Sequence, residues 1–279
     1  MTNNFKGIYA YCGWNGGKLG WLLGCSVYFP YENGDPTHKW TDDITRKFKL
    51  PRPINLGCKR ELISEDSLNY NSRNSVDKVN AFRAMDRAGV PHPRLIPASQ
   101  IRGASSQVPM KFLGRQNRSS CGRGITLYDR TEKWPVIEKH SFFVEYLECK
   151  SEHRVHVFDG DVVCELNKNI NPGSFIHTRE QGSTLSIGVI NHPKREEILD
   201  YSIKAVKSLD LDFGAVDIFI DTNDKIYVLE VNSDPGMPEI IAPLYAERIR
   251  RYFNMPASDR YFINERGRFV STENKKLSF

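Results

Sequence analysis

No run of apolar residues in the 279-residue chain approaches the roughly 18 to 20 needed to cross a bilayer. The opening MTNNFKGIYAYCGW also lacks a basic segment followed by an apolar signal core. A cytoplasmic protein with no membrane partner is therefore expected. Paired cysteines are missing as well: Cys12, Cys25, Cys58, Cys121, Cys149 and Cys164 are scattered without CxxC spacing. That excludes a zinc knuckle or dithiol redox motif and favours reduced thiols. Charge of one sign does not dominate. The net charge of +5 is modest, with basic residues gathered late in ERIRRYF and NKKLSF, which suits anionic ligands and leaves nucleic acid an unfavoured partner. Repeats and low-complexity segments are absent. A hydrophobic content of 39% and a charged content of 26% describe a folded globular chain, long enough for two or three small α/β lobes.

Residues 1 to about 70 mix apolar runs with glycine and aromatics, then a loop-like stretch NGDPTHKWTDD, then PINLG, a short strand and turn. In NSVDKVNAFRAMDRAGVPHP, Val79, Phe82, Met85 and Ala88 fall at helical spacing before Gly89, Pro91 and Pro93. This predicts a helix from about 76 to 88, capped by Ser75. PMKFLGRQNRSSCGRGITLYD reads as a β-loop-β hairpin. In SFFVEYLECKSEHRVHVFDGDVVCELNKN, a strand and a connector lead into two strands joined at Asp159 and Gly160, a strong hairpin signal. EEILDYSIKAVKSLDL predicts an amphipathic helix with Ile198, Tyr201, Ala205 and Leu209 in one stripe. The strands FGAVDIFID and KIYVLEVN follow, ended by Pro235 and Gly236.

The last two strands carry the sharpest chemical signal. Side chains alternate across a strand, so Asp217 and Phe219 share a face, as do Glu230 and Asn232 on the paired strand. Three oxygen donors can then converge, and hard cations such as magnesium take carboxylate and amide oxygens together with substrate phosphates. An acid within an apolar strand run is costly unless it is paired or metal-bound, which favours the metal reading; a structural ion pair with neighbouring Arg or Lys is the alternative. In RQNRSSCGRG, Gly122 and Gly124 permit positive φ, and Arg115, Arg118 and Arg123 suit a polyphosphate, although a solvated turn has the same composition. Arg154 opens one hairpin strand and Lys168 closes the next; either can deliver positive charge to a transferring phosphoryl group. His153 and His156, three apart on a strand, face opposite sides and make no metal pair. NPGSFIHTREQGS reads as a loop that could cover an acceptor.

In order and spacing these elements resemble the ATP-grasp superfamily over roughly residues 74 to 250. EHRVHVF and LDFGAVDIF look most similar to phage-type and RimK-like amino-acid ligases. The resemblance implies an α+β fold of two lobes gripping ATP, preceded by a small α/β domain, with boundaries at 1–73, 74–140 and 141–279. It implies that Lys78 and Arg115, which stands where a lysine is commoner and for which Lys111 is the alternative, hold the nucleotide. Gly122 and Gly124 would cover the phosphates, Glu145, Tyr146 and Leu147 border adenine, and Glu152 or Glu148 approach the ribose. Arg154 and Lys168 would be catalytic, Lys168 facing the γ-phosphate, and Asp217, Glu230 and Asn232 would hold magnesium or manganese.

The implied reaction phosphorylates a small-molecule or peptide carboxylate and hands the acyl group to an amine, or to a thiol. A kinase-like or regulatory nucleotide-binding protein, and a phage nucleic-acid-associated modification protein, are the alternatives. Residues 1–73 and the tail after Met255 are expected to shape substrate choice.

Overall fold

The computed structural model describes residues 6–11, 13–28, 49–119, 122–132, 134, 137–171, 174–257, 261–263 and 269–271. The loop-like stretch NGDPTHKWTDD, Cys12, Cys121 and the end of the tail lie outside them. Strand β1 (Ile8–Ala10) leads through helix α1 (Gly13–Leu23) to β2 (Val27–Tyr28), and β3 (Ile54–Leu56) pairs with the other side of β1. Both pairings are parallel. Ile8, Tyr9 and Ala10 are all at most 1% exposed, as expected where both faces of a parallel sheet are covered. Leu19, Leu22 and Leu23 of α1 pack into a core shared with helix α5 (Ala242–Tyr252), through Ala242, Tyr245, Ala246 and Ile249. The N-terminal sheet therefore shares its core with the C-terminal helix.

Helix α2 (Lys78–Arg87) starts at Asp77, whose side chain accepts from Asn80 N at 3.0 Å. The expected cap, Ser75, lies in the preceding 3-10 turn, where its hydroxyl is instead within hydrogen-bond distance of Ser72 O and Ser233 Oγ. Aspartate caps as well as serine, and its carboxylate also meets the positive helix end. Next come β4 (Leu95–Ile96), the short helix α3 (Ala98–Arg102), β5 (Lys111–Arg115), β6 (Thr126–Asp129) and β7 (Phe142–Glu145). The four strands form an antiparallel sheet in the order β4-β7-β5-β6. Because β7 pairs with both β4 and β5, the change of sheet falls at residues 146–148, after the boundary expected at 140. Helix α2, by contrast, buries Ala81, Phe82 and Met85 in the core of the larger sheet.

That larger sheet has the order β10-β9-β8-β11-β12, all antiparallel: β8 (Cys149–Phe158), β9 (Asp161–Asn169), β10 (Thr184–Ile187), β11 (Phe213–Asp221) and β12 (Ile226–Asn232). The β8–β9 hairpin turns at Asp159 and Gly160, both with positive φ, as the Asp-Gly pair predicts. One face carries Val155, Val157, Val216, Ile218, Ile220, Val228 and Val231, buried beneath helix α4 (Arg195–Ser208) through Ile198, Ala205 and Val206. Burying each such aliphatic side chain contributes about 1.5 to 3 kcal/mol. The opposite face is apolar at Phe158, Phe213 and Leu166, which share the core of α5, and beyond them carries the charged side chains beside the buried Phe219. A final two-stranded pair joins β13 (Tyr261–Ile263) and β14 (Phe269–Ser271). Among the described residues, no helix is long and apolar enough to cross a membrane, and Cys149 and Cys164 are free.

Asn69 ties the N-terminal segment to this sheet. It is fully buried, at φ +56°, a conformation asparagine tolerates better than most residues. Its Oδ1 accepts from the backbone N–H groups of Asp212 (2.8 Å) and Phe213 (2.9 Å), and its Nδ2 donates to Phe213 O at 2.9 Å. Asn69→Ala strands those groups in the interior, so a loss of about 2 kcal/mol is expected in the urea unfolding free energy. An unchanged midpoint would show that water replaces the amide.

Candidate active site

The polar face of the five-stranded sheet is set by register. Arg154 of β8 lies opposite Asp217 of β11, which lies opposite Glu230 of β12; one pair along, Ala215 lies opposite Asn232. Residues directly opposite in antiparallel strands project to the same side, so the expected trio Asp217, Glu230 and Asn232 does share a face. A β-bulge in β12, where Glu230 pairs with Asp217 but Val228 with Ile218, makes this possible. Without the extra residue, Glu230 would share a face with the buried Val228.

Both acids are engaged by cations. Arg154 grips Asp217 with two hydrogen bonds, Nε to Oδ1 at 2.6 Å and a terminal nitrogen to Oδ2 at 2.8 Å, the bidentate fork that suits a guanidinium to a carboxylate. The Asp217 charge holds the Arg154 pKa well above its ordinary value, against burial. Lys78, at the first turn of α2, reaches Glu230 Oε2 at 3.0 Å, and Asn232 Nδ2 lies 3.4 Å from Glu230 Oε1. The ion pair and the oxygen-donor cluster weighed against each other in the sequence thus coexist.

Arg115, at the end of β5, approaches from the other lobe and stacks over Phe142, 5.6 Å from the ring centroid. Burial pushes its pKa down, with the Glu230 charge acting in the opposite direction. Among the described residues its Nε, which is buried, finds no hydrogen-bond partner. Such an orphaned donor is costly unless a ligand satisfies it. Lys111, the alternative, is exposed at the far end of β5 opposite Asp129.

Along the same sheet face, Lys168 Nζ of β9 lies 2.5 Å from Glu152 Oε2 of β8. His177, from the segment between β9 and β10, puts Nδ1 2.5 Å from Glu152 Oε1. Burial pushes the Glu152 carboxyl up, yet His177 and Lys168 outweigh it and leave its pKa below the ordinary value. Cys149 Sγ joins them: it, a Glu152 carboxylate oxygen and a His177 ring nitrogen lie within 4.8 Å of one another. Burial drives the Cys149 thiol up to about 12 and keeps it neutral. With Lys168 already supplying the positive charge, the cluster is a salt-bridge network.

Glu145 at the end of β7 and Tyr146 and Leu147 of the connector to β8 lie at the junction of the four- and five-stranded sheets. Glu145 Oε1 accepts from Arg94 N at 2.8 Å and Tyr146 N donates to Lys111 O at 3.3 Å. Glu148 beside them is exposed. Gly122 and Gly124 adopt φ +68° and +70° in the β5–β6 loop. A Cβ on Gly122 would come within 2.6 Å of Ile176 Cγ2 and 2.9 Å of Thr178 Cγ2, so this loop and the His177 segment meet at that glycine. Asn117 fastens the glycine loop to α2, its Oδ1 accepting from Val79 N at 3.2 Å. Asn117 and His177 were not singled out in the sequence, since neither belongs to a spaced motif. His156 faces away from His153 as expected; burial, then the Arg154 charge, lowers its pKa to about 3, and Tyr245 Oη lies 3.1 Å from its Nδ1.

The family model for the RimK-like ATP-grasp domain matches residues 77–244, from the cap of α2 to the start of α5. A probable alpha-L-glutamate ligase of Shewanella halifaxensis (strain HAW-EB4) is 32% identical over 87 residues, which is 31% of this chain. This chain spans only 18% of that relative's length. The ATP-grasp ligase PsnB, solved with minimal precursor, Mg and ADP, superposes with a TM-score of 0.62 at 13% identity, covering 90% of this chain and 99% of that one. The VanG D-Ala:D-Ser ligase from Enterococcus faecalis gives 0.57 at 18% identity over 75% of each chain. These two likenesses establish a shared fold, and the family match covers more than half of the sequence. With the two-sheet architecture and the polar face between its parts, they lead to one conclusion: the chain belongs to the RimK-like ATP-grasp family.

Proposed function

We propose that the chain is an ATP- and magnesium-dependent ligase that activates an amino-acid or peptide carboxylate as an acylphosphate and joins it to an amine. Lys78, Arg115 and Arg154 surround Asp217 and Glu230, and the unpartnered Nε of Arg115 carries the assignment. Three cations against two carboxylates leave surplus positive charge suited to a polyphosphate. Asp217, Glu230 and Asn232 are an all-oxygen donor set, the kind that holds magnesium or manganese. Held there, such an ion would offset the negative charge that develops on the transferring phosphoryl group.

Lys78 and Arg115 are assigned to the phosphates of ATP, Lys168 to the γ-phosphate and Arg154 to the transferring group and to orienting Asp217. Glu145, Tyr146 and Leu147 border adenine. Both oxygens of Glu152 are taken by Lys168 and His177, so the ribose falls to the exposed Glu148. A carboxylate oxygen attacks the γ-phosphorus and ADP leaves; the amine then attacks the acyl carbon, phosphate leaves and the amine gives up a proton. Water must be kept from the acylphosphate, which gives the loops meeting at Gly122 their role. The N-terminal unit reaches the end of β12 through Asn15 Nδ2 and Asp234 Oδ1, 3.0 Å apart, a position from which it can select the substrate. The glutamate ligase name of the relative and the precursor bound to PsnB support an amino-acid or peptide substrate.

ATP turnover screened against pooled amino acids, peptides, polyamines and DNA tests the proposal. A ligase yields amide in step with ADP. A stable phosphorylated product without amide would instead identify a kinase, and turnover stimulated by DNA alone a nucleic-acid-associated protein. Gly122→Ala is expected to hold the two loops apart and weaken ATP binding about tenfold, with little change in melting temperature. Titration calorimetry with ATP checks this; unaltered affinity would remove the loop from the phosphate site.

A further inference from the structure

We infer that His177 is a positioning residue that, as an imidazolium, clasps the segment between β9 and β10 onto the phosphate face and fixes Lys168 through Glu152. Its ring is 6% exposed, on a segment whose neighbours are half-buried or exposed. Nδ1 lies 2.5 Å from Glu152 Oε1 and Nε2 lies 2.8 Å from Ser174 O. Both partners only accept. A neutral imidazole carries a single N–H, so making both bonds requires both ring protons.

The clasp closes a small unit. Asn171 Nδ2 donates to Gln181 O at 3.1 Å, Ser174 Oγ to Ile176 O at 2.7 Å, and Ser183 N to Thr178 O at 3.0 Å. These bonds tie residues 174–183 to one another and to Asn171. Its docked position sets Ile176 and Thr178 against Gly122 of the opposing loop. Glu152, buried, is held by His177 on one oxygen and by Lys168 on the other, so the two cations share one anchor and release of His177 alters how that carboxylate holds the Lys168 ammonium.

Among the described residues the ring faces the titratable groups of Glu152 and Cys149 from β8 and Lys168 from β9. Cys149 is neutral. The Glu152 hydrogen bond raises the His177 pKa, against burial and the Lys168 charge. A raised folded-state pKa means the clasp is complete below the ordinary histidine value and is lost as pH climbs through the raised one. Above it, the neutral ring keeps either Glu152 or Ser174 and releases the other.

The link to catalysis rests on the phosphate role proposed for Lys168, but the clasp itself needs no nucleotide. Its test is ring-nitrogen NMR together with amide exchange of residues 174–183, corrected for intrinsic rates, from about pH 5.5 to about pH 9. Wild type should show both ring nitrogens protonated at the low end and lose protection about tenfold as the ring titrates. His177→Gln, whose amide donates without titrating, should give a flat profile. A singly protonated ring at the low end, or the same pH profile in both proteins, would overturn the inference; the ring measurement decides even if the variant does not fold. Repeating the exchange with ATP and magnesium separates the two claims. Titrating protection that nucleotide leaves unaltered keeps the clasp and removes the phosphate role of Lys168.

Discussion

Glu230→Ala is expected to cut ATP turnover about a thousandfold and leave the protein folded, an effect equivalent to about 4 kcal/mol of transition-state stabilisation. Glu230 sits where three features converge: Asp217 across the ladder, Asn232 two residues on and Lys78 from α2. Removing it strips a charged donor from the oxygen set and sets Lys78 loose. The fold should survive because the Glu230 side chain is 30% exposed, so Lys78 can be solvated. Glu230→Gln separates charge from shape: it keeps the volume and a hydrogen-bonding group, and should lose nearly as much turnover. Circular dichroism and melting would be measured beside ADP release at several magnesium concentrations. Undiminished turnover in the folded variant would remove Glu230 from the site.

Asp217→Ala should differ, costing stability as well as turnover. Arg154 is fastened to Asp217 by two short hydrogen bonds, and the two side chains are 23% and 15% exposed. Deleting one partner of such a pair leaves the other charge poorly solvated, a loss of about 3 to 5 kcal/mol for a fully buried pair and somewhat less here. Replacing both, with Arg154→Met and Asp217→Leu together, should recover much of that loss, because two well-packed apolar groups carry no stranded charge. Urea unfolding of the two single variants and the double one gives the coupling. A double variant as unstable as the sum of the singles would mean the pair contributes no coupling of its own.

What could be read in advance followed the physics that acts locally. Asp159-Gly160 announced its hairpin because two positive φ values are needed there. The stripe of α4 and the alternation in β11 showed which faces are buried, so Asp217 stood out as an acid within an apolar run. Three things were hidden. The bulge in β12 leaves no trace in the alternation of so short a strand, though it decides where Glu230 points. Strand β7 joined the smaller sheet because of its partners, β4 and β5, which a segment-by-segment reading does not supply. His177 and Asn69 act over 25 and 144 residues of chain, toward Glu152 and Phe213, through single polar contacts that carry no periodicity. The helix cap slipped from Ser75 to Asp77 because both are good caps, and burial of Ser75 against Ser233 settled the choice.

The acylphosphate is the step on which the account depends most. Supplying ATP, magnesium, an amine pool and amino acids or peptides labelled with oxygen-18 in the carboxylate tests it without naming the substrate beforehand. If the carboxylate attacks the γ-phosphorus, the inorganic phosphate released with the amide must carry one labelled oxygen. Unlabelled phosphate accompanying amide formation, or label transferred to AMP, would contradict an acylphosphate route.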